Sequence, residues 1–396
     1  MKNLILGYER GKNKWSNLSQ SLEMIGQEYS IVTNDYDKII GPYDRIWCMA
    51  ESLLPLQAEL EKKWGIKNVS VRAAEILTNK KKFDDFCISC GLESFIPYSV
   101  IPTKLSDLDY FKNKSFIIKP VVGSGTKQNY DTGIAYFSYK NKNDFMKRVP
   151  VDLLFYTNQK GFTDPDFNNV TNYYMAQEHL NHPAVYAPYG YVNEYGEYRH
   201  MFTIEGKCID NQIDDLTFES KPTNWFSVPD SDLPPMLLKW RDYFFTTIVD
   251  ELRIKSMFFA GPDFYYDGKY DMKIIDCNPR LGGGLSVMNE LHDGQLIKQA
   301  LSNEPLEINT QFYWVNADLK PGKIKEIADI SWLQPYLANT SREIKPGQIV
   351  PEFAFNVLDV ADQTKIIFKI SGKEKSDMIN TYRTLNDRLQ SCISYY

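Results

Sequence analysis

Strand-length and helix-length apolar patterns alternate along the first 78 residues of the chain. Leu4–Gly7, Tyr29–Val32 and Arg45–Met49 have the length and composition of buried strands. Apolar residues recur at helical spacing over Trp15–Ile25, and a second helix is predicted over Leu54–Trp64. Strands that alternate with helices at these intervals predict a parallel, doubly wound α/β sheet.

The middle of the chain predicts antiparallel pairing instead. Ser115–Lys119 and Ile134–Ser138 have the pattern of two strands in a hairpin, which encloses the glycine-bearing loop Val121–Thr126. Farther along, Asp267-Gly268 is a strong turn signal between two apolar strands. The other elements predicted here are a helix over Asn79–Cys90, a strand over Tyr173–Gln177, a strand–turn–strand unit over Tyr189–Thr203, a helix over Leu233–Leu252, and strands over Met257–Tyr265 and Met272–Asp276.

After Pro305 the pattern becomes one of short strands followed by a final helix. One hydrophobic core supports about 250–300 residues, so a chain of 396 residues predicts more than one domain. We predict an N-terminal domain over 1–78, a central domain over 79–305 and a C-terminal α/β subdomain over 306–396. The central domain is expected to divide into a small lobe over about 115–178 and a larger lobe over about 179–305. The elements predicted after Pro305 are strands over Phe312–Val315, Ile349–Asn356 and Thr364–Ile370 and a helix over Lys373–Gln390.

Composition narrows the kind of partner that the protein binds. With 45 basic and 51 acidic residues the formal net charge is -6, so the general attraction that drives nucleic-acid binding is missing. No apolar run reaches the roughly 18 residues that predict a membrane-spanning helix. Six cysteines scattered over a long chain are typical of a reducing compartment. We therefore expect a cytoplasmic protein with no nucleic-acid or membrane partner.

The strongest chemical signal is the segment Ile274–Gly284, in which an apolar strand ends in an acid, an amide, a cation and three glycines. Asp276 and Asn278 offer hard oxygen ligands of the kind that Mg²⁺ prefers. Asp263 lies on the preceding strand of the predicted hairpin, so strand pairing would bring it beside Asp276. Two adjacent carboxylates repel unless a cation lies between them. The segment therefore predicts a magnesium site, followed by an arginine, Arg280, on a turn stiffened by proline.

A second signal is an apolar strand that ends in Lys119 and leads at once into a loop of small residues. A lysine in this position can contact phosphates as a point charge, and Gly123, Ser124 and Gly125 expose backbone N–H groups that could cover them. Because the lysine precedes the glycines, the segment is not a Walker A loop. Taken alone, an ordinary hairpin turn explains it equally well.

A third signal is the apolar strand Tyr173–Gln177, which runs into polar residues. An adenine ring needs one backbone donor, one backbone acceptor and a further acceptor for its amino group, and a strand of this form can offer all three. The pattern is common by itself. The lysine strand, this strand and the acid–amide–arginine segment, in this order along the chain, resemble the ATP-grasp superfamily.

The resemblance covers most of the chain and implies a role for each of these residues. Lys80 and Lys119 are implied as the two phosphate lysines, and Arg280 as the arginine at the transferring phosphate. Gln177 is implied to face the adenine amino group, with Glu178 and Leu180 contacting the ring through backbone. Asp263, Asp276 and Asn278 are implied to hold Mg²⁺, with Mn²⁺ as an alternative. The fold implied is an ATP-grasp domain with an N-terminal doubly wound domain, a small ATP lid and a C-terminal α+β lobe.

The C-terminal segments Pro321–Ile324 and Lys345–Val350 resemble the terminal subdomain of ATP-grasp amino-acid ligases, which are related to carbamoyl-phosphate synthetase and biotin carboxylase. This implies an ATP-dependent carboxylate–amine ligase that forms an amide or peptide bond through an acyl phosphate and converts ATP to ADP and phosphate. The implied substrates are amino acids or a short peptide, and related enzymes are often dimers. The alternatives are a carboxylase or carbamate-forming enzyme, a kinase that phosphorylates a hydroxyl, and a non-catalytic nucleotide-binding scaffold.

The sequence also departs from the family pattern. Both predicted metal carboxylates are aspartates where glutamate is usual, and Asn79 replaces an aspartate. Pro183-Ala184-Val185 occupies the stretch where a ribose-binding acid is expected. Arg199 and His200 are further candidates for the active-site face, although a solvated strand face explains them equally well. A cluster of tyrosines around them could line a substrate pocket or pack within a sheet: Tyr186, Tyr189, Tyr191, Tyr195 and Tyr198.

Overall fold

A computed structural model gives the fold of the chain. It describes residues 1–8, 12–123, 138–164, 170–180, 184–207, 224–261, 263–266, 272–308, 310–338, 341, 344–350 and 366–396. The predicted turn at Asp267-Gly268 lies outside these residues, as does most of the predicted strand Ile134–Ser138.

The N-terminal segment forms the parallel sheet that the sequence predicts. Its elements are β1 (Lys2–Leu6), α1 (Lys12–Met24), β2 (Glu28–Val32), β3 (Arg45–Cys48), α2 (Leu54–Trp64) and α3 (Val71–Thr78). The strand order is β2-β1-β3, and both pairs are parallel. Leu4 and Leu6 pack into one hydrophobic cluster while Ile5 packs into another, so both faces of the sheet are buried.

The next segment contains a small antiparallel sheet. Its elements are α4 (Lys80–Ser89), β4 (Ser99–Val100), β5 (Phe116–Pro120), β6 (Ser138–Tyr139), α5 (Lys142–Arg148), α6 (Val151–Lys160), β7 (Phe162–Asp164), β8 (Val170–Asn172) and β9 (Tyr174–Glu178). The order is β4-β9-β5-β6, and β7 pairs separately with β8. The pairing of β5 with β6 confirms the predicted hairpin. Phe116, Ile118, Tyr174 and Ala176 bury one face of the sheet against Phe145 and its neighbours.

A larger sheet follows, built from β10 (Ala184–Val192), β11 (Tyr198–Lys207), β12 (Asn224–Val228), β13 (Met257–Ala260), β14 (Asp263–Tyr266) and β15 (Met272–Asp276), with helices α7 (Pro235–Leu252), α8 (Gly283–Leu291) and α9 (Gln295–Leu301). The single strand predicted over Met257–Tyr265 is wrong, because it is interrupted between β13 and β14. Gly261 has a φ of 112° and donates its N–H to the Pro188 carbonyl at 2.9 Å, and this turn redirects the chain. Both halves still pair with β10.

The C-terminal segment adds two strands to the same sheet. Its elements are β16 (Gln311–Asn316), β17 (Gly322–Ile327), β18 (Ile349–Val350), β19 (Ile367–Gly372), α10 (Lys375–Ser391) and β20 (Ile393–Tyr395). The full order is β15-β14-β10-β11-β12-β16-β19, and β13 pairs with β10 beside this path. A separate small sheet has the order β18-β17-β20. The segment after residue 305 therefore shares a sheet with the segment before it.

Helices cover both faces of the large sheet. On one face Phe244 and Phe245 of α7 pack with Phe259 and Phe264, in a cluster that also contains residues of α2, α3 and α4. On the other face α1, α8 and α9 pack against residues that include Tyr189. Within the described ranges, no helix combines the length and the apolar character needed to cross a bilayer. The cysteines in those ranges are free thiols.

Candidate active site

The turn after β15 holds Asn278 and Arg280 side by side. The Asn278 carbonyl accepts two backbone N–H groups, from Ala260 at 2.9 Å and from Arg280 at 2.8 Å. Its side-chain Oδ1 accepts a third hydrogen bond, from Arg280 Nη2 at 3.3 Å. These bonds tie the turn to β13, so the side chains of Asn278 and Arg280 project from a fixed backbone.

A residue from the N-terminal sheet completes this part of the site. Arg280 Nε donates to Glu51 Oε1 at 3.1 Å, and the Glu51 side chain is only 6% exposed. Glu51 begins a short 3-10 helix directly after β3. Glu51 was not predicted from the sequence to be a site residue. The sequence signal that could have identified it is its position shortly after the end of β3, because ligands of parallel α/β sheets bind at the carboxyl ends of the strands.

The predicted pairing of the two acids is confirmed at the level of the backbone. In the β14–β15 ladder Asp263 is the partner of Asp276, and a register shift follows at once between Asp263 and Phe264. The side chains of Asp263 and Asp276 lie outside the described part of the structure, so their role as metal ligands remains a prediction. Among the side chains that are described, no group of three or more His, Cys, Asp or Glu residues could hold a metal ion.

The two predicted phosphate lysines flank the same loop. Lys119 near the end of β5 is buried, with 5% of its surface exposed. Lys80 opens α4 and donates from Nζ to the carbonyl of Gly123. Asn79 caps this helix by accepting the N–H of Lys82 at 2.9 Å, a task that asparagine and aspartate perform equally well. The loop residues Ser124 and Gly125 lie outside the described residues.

The predicted adenine-binding strand also offers groups for a ligand. Gln177 is 1% exposed, and its Oε1 has no hydrogen-bond partner among the described residues. The backbone N–H of Glu178 is already donated to the Tyr98 carbonyl at 2.9 Å, which leaves its carbonyl as the group for a ring. The Glu178 carboxylate turns to Tyr110, whose hydroxyl donates to it at 3.0 Å. Leu180 lies two residues beyond the end of β9.

Arg199 and His200 contact other elements of the fold. Arg199 Nη2 donates to the Glu304 carbonyl at 2.6 Å. His200 Nε2 lies 3.3 Å from Asp230 Oδ1, which also pairs with Arg241 at 2.9 Å. Burial is the main cause that lowers the pKa of His200, while its hydrogen bond to Asp230 opposes that shift. These contacts favour a structural role for both residues.

The tyrosine cluster and the glycines of the loop are explained mainly by packing. Tyr189 stacks on Phe202 with ring centroids 4.7 Å apart, and Tyr191 packs between aromatic rings of the core. A Cβ on Gly282 would meet the Ala260 Cβ at 2.4 Å, and one on Gly284 would meet the Tyr189 hydroxyl at 2.8 Å. These glycines therefore allow the loop and α8 to pack closely on the sheet, a reason that the sequence pattern does not show.

Comparison with known proteins adds the fold family. Sequence comparison alone finds no matching family model and no curated relative. In structure, the chain is similar to an L-amino acid ligase from Bacillus licheniformis, with a TM-score of 0.68 at 15% identity and coverage of 100% of this chain and 98% of that one.

Two further solved structures share the same architecture. One is a carboxyaminoimidazole ribonucleotide synthase from Aspergillus clavatus in complex with ATP, with a TM-score of 0.60, 13% identity and 98% coverage of both chains. The other is a biotin carboxylase from Campylobacter jejuni, with a TM-score of 0.57, 15% identity and coverage of 99% of this chain and 92% of that one. Because the similarity extends over the whole chain, and because the motifs occur in the expected order, the protein has the ATP-grasp fold.

Proposed function

We propose that this protein is an ATP-dependent carboxylate–amine ligase that forms an amide or peptide bond through an acyl phosphate. The observation that carries the proposal is Arg280, held between Glu51 and Asn278 beside the pairing of Asp263 with Asp276. A fixed cation next to two paired acids suits the transfer of a phosphoryl group, in which negative charge must be stabilised without later rearrangement. The similarity of this fold to that of an L-amino acid ligase supports a carboxylate and an amine as the substrates.

The small sheet and its loop provide the nucleotide half of the site. Lys80 and Lys119 supply positive charge for the phosphates, with Gly123, Ser124 and Gly125 as the covering loop. The buried acceptor Gln177 Oε1 suits the amino group of adenine, since a buried polar atom without a partner is costly unless a ligand satisfies it. The Glu178 carbonyl and the Leu180 N–H, two residues apart along the chain, would contact the ring edge.

The donor chemistry of the second half fits a hard divalent cation. Asp263, Asp276 and Asn278 would hold Mg²⁺, and Mn²⁺ accepts the same oxygen donors. The metal would supply positive charge that neutralises the phosphate groups of the nucleotide. The aspartates are one methylene shorter than the glutamates common in the family, so shorter side chains would hold the same kind of cation.

The reaction would then proceed in two steps, with residues of the chain stabilising the charges that form. A carboxylate oxygen of the first substrate attacks the γ-phosphorus of ATP, the bond from that phosphorus to the β–γ bridging oxygen breaks, and ADP leaves. Arg280, oriented by Glu51, stabilises the transferring phosphoryl group and then the acyl phosphate. An amine nitrogen attacks the carbonyl carbon, inorganic phosphate leaves with its bonding electrons, and the amine gives up a proton to solvent. Closure of the loop after Lys119 would exclude water from the acyl phosphate.

The proposal is tested by ATP-dependent phosphate release from the purified full-length protein. The panel contains Mg²⁺, single amino acids, all their pairs, short peptides and bicarbonate, with Asp276→Ala as the blank. Release that requires a carboxylate and rises with an amine partner is the expected result. Formation of ADP without free phosphate in the presence of a hydroxyl compound would establish a kinase, and release that depends on bicarbonate would establish a carboxylase. ATP binding with no turnover on any substrate would contradict the ligase.

Oligomeric state is a separate part of the proposal. Related enzymes are often dimers, so we propose a homodimer. Light scattering of the purified protein across a range of concentrations would measure this directly, and a mass near the 45.9 kDa of one chain at all concentrations would contradict it.

A further inference from the structure

Asp84 is a buried acid for which the proposed mechanism has no task. It lies on α4, one helical turn after Lys80, and only 4% of its surface is exposed. Its Oδ2 accepts a hydrogen bond from Ser99 Oγ at 2.6 Å. The next residue, Asp85, has a side chain that is 60% exposed and pairs with Lys81. The helix therefore presents one carboxylate inward and one outward, and the inward one requires a reason.

The strand register places the partner of Asp84 on the nucleotide face of the small sheet. Ser99 on β4 is opposite Gln177 on β9, and Gln177 is opposite Ile117 on β5. Residues two apart on a strand share a face, so Lys119 lies on the same side as Ile117. Phe116 and Ile118 are on the other side, in the core of the lobe. Ser99, Gln177 and Lys119 therefore face the same way, and Asp84 contacts this face through Ser99.

The charges of Asp84 and Lys119 are coupled. Burial raises the pKa of Asp84 to about 6, whereas its hydrogen bond from Ser99 and the positive charge of Lys119 both lower it. At pH 7 the group is still mostly ionised, because this pH lies above its pKa. Lys119 is itself 5% exposed, and a buried ammonium ion is unfavourable unless a negative charge is near it. The positive charge of Lys81, on the outer side of the helix, also lowers the pKa of Asp84, but by less than that of Lys119.

We propose that Asp84 is a positioning residue for the nucleotide: its carboxylate, fixed by Ser99, provides a counter-charge that orients the Lys119 ammonium group on the nucleotide face. This inference rests on the proposed nucleotide site. Without Asp84, the buried lysine loses this counter-charge, and a bound nucleotide must order it. Nucleotide affinity is then lower, although no direct contact between protein and nucleotide has been removed.

The test is the Kd of Mg·ADP, measured by titration calorimetry on the full-length protein, so that no substrate needs to be known. Asp84→Asn should raise this Kd about tenfold, the scale expected when one partner of a buried charge pair is neutralised. Lys119→Met should raise it at least as much. In the double variant, Asp84→Asn should add little to Lys119→Met, because its effect passes through that lysine. Asp85→Asn, the matched control on the exposed side of α4, should leave the Kd unchanged.

Two outcomes would overturn the inference alone: an unchanged Kd for Asp84→Asn, or an equal weakening by Asp84→Asn whether or not Lys119 is present. Thermal unfolding checks that each variant is folded. If Asp84→Asn does not fold, Ser99→Ala replaces it, with an expected rise in Kd of about threefold. An unchanged Kd for Lys119→Met would instead contradict the proposed nucleotide site, and the inference about Asp84 with it.

Discussion

The two sides of the candidate site hold their cations in different ways. On the lid side, which comprises the small sheet and α4, Lys119 lies on β5 and its proposed counter-charge Asp84 lies on α4, within the same stretch of chain. On the opposite side, Arg280 is held by Glu51, a residue 229 positions away, across the packing of two different sheets. The first arrangement depends on short-range structure, and the second depends on how domains fit together.

This difference separates nucleotide binding from turnover. In the proposed mechanism, the residues of the lid side bind the nucleotide. The position of Arg280, in contrast, is correct only if β3, the turn after β15 and the start of α8 keep their mutual packing. Changes to Arg280 and to its partner Glu51 should therefore lower turnover much more than nucleotide affinity.

The largest effect is expected from Arg280→Ala. Loss of one preorganised donor at the transferring group lowers kcat by roughly 10²–10³. The Kd of Mg·ADP should change by less than about twofold, because the lid side is untouched. Phosphate release and calorimetry measure the two quantities, and Arg280→Lys, which keeps the charge but loses the planar fork, should fall between. Normal turnover in the alanine variant would remove Arg280 from the mechanism.

Glu51→Gln tests whether Arg280 needs its distant partner. The variant keeps an acceptor of the same shape but removes the charge, so Arg280 is held less firmly, and kcat should fall by roughly 10- to 10²-fold. If Glu51 acts through the arginine, the double variant with Arg280→Ala should be no slower than Arg280→Ala alone. A further loss in the double variant would mean that Glu51 has a separate role in turnover.

The same contrast explains what the sequence could predict. Asp263, Asp276, Asn278 and Arg280 lie in one hairpin and the turn after it, so spacing alone is enough to bring them together. Glu51 was missed because its partner is distant in sequence, and nothing local distinguishes a functional glutamate after a strand from an ordinary one. The three-dimensional packing of β3 against the turn provides that information.

The burial of individual side chains was the second property that the sequence could not predict. Asp84 and Asp85 are adjacent acids among lysines on a helix, and nothing in the local sequence distinguishes them. In the structure Asp84 is buried and bonded to Ser99 on a strand of the small sheet, whereas Asp85 is exposed. The apolar run Met257–Tyr265 is a different case, because it contains the dipeptide Gly261-Pro262, a turn signal that the single-strand prediction left out of account.

A pH-dependent prediction concerns Glu61, a buried acid that is linked through Gln57 to the end of β3, on the Arg280 side of the site. Glu61 is fully buried, and it accepts hydrogen bonds from Gln57 at 2.8 Å and from the Val69 N–H at 2.7 Å. Gln57 in turn accepts the N–H of Cys48, the last residue of β3, at 3.0 Å. Burial is the main cause that raises the pKa of Glu61 to about 7. The folded state therefore binds this proton more tightly than the unfolded state.

A raised pKa contributes stability that is fully present below the unfolded value of 4.5 and is lost as the pH rises through about 7. Relative to Glu61→Gln, the wild-type free energy of unfolding should fall by roughly 2–3 kcal/mol between these limits. Urea denaturation of both proteins at several pH values measures the difference. The raised pKa of Asp84 is common to both proteins and cancels. Parallel curves would show that Glu61 titrates normally in the folded state.

The smallest effect is expected from Gly282→Ala, which tests whether close packing alone positions the loop. The new Cβ would meet Ala260 Cβ at 2.4 Å and Tyr189 Cε1 at 2.7 Å, so the loop must shift, at a cost of about 1–3 kcal/mol in stability. Gly283→Ala is the matched control, because its nearest contact is Trp314 at 3.2 Å and alanine favours the helix that begins there.

The shift at Gly282 should move Arg280, two residues earlier, and lower kcat by several-fold while the Kd of Mg·ADP is unchanged. Thermal unfolding, phosphate release and calorimetry on the two glycine variants distinguish the possibilities. Lower stability with normal kcat would mean that Glu51 and Asn278 fix Arg280 regardless of the loop. A Kd that rises together with the loss of kcat would mean that the two sides of the site move together, because the new Cβ clashes with Ala260 and Tyr189 of the large sheet and the effect would have spread to the nucleotide.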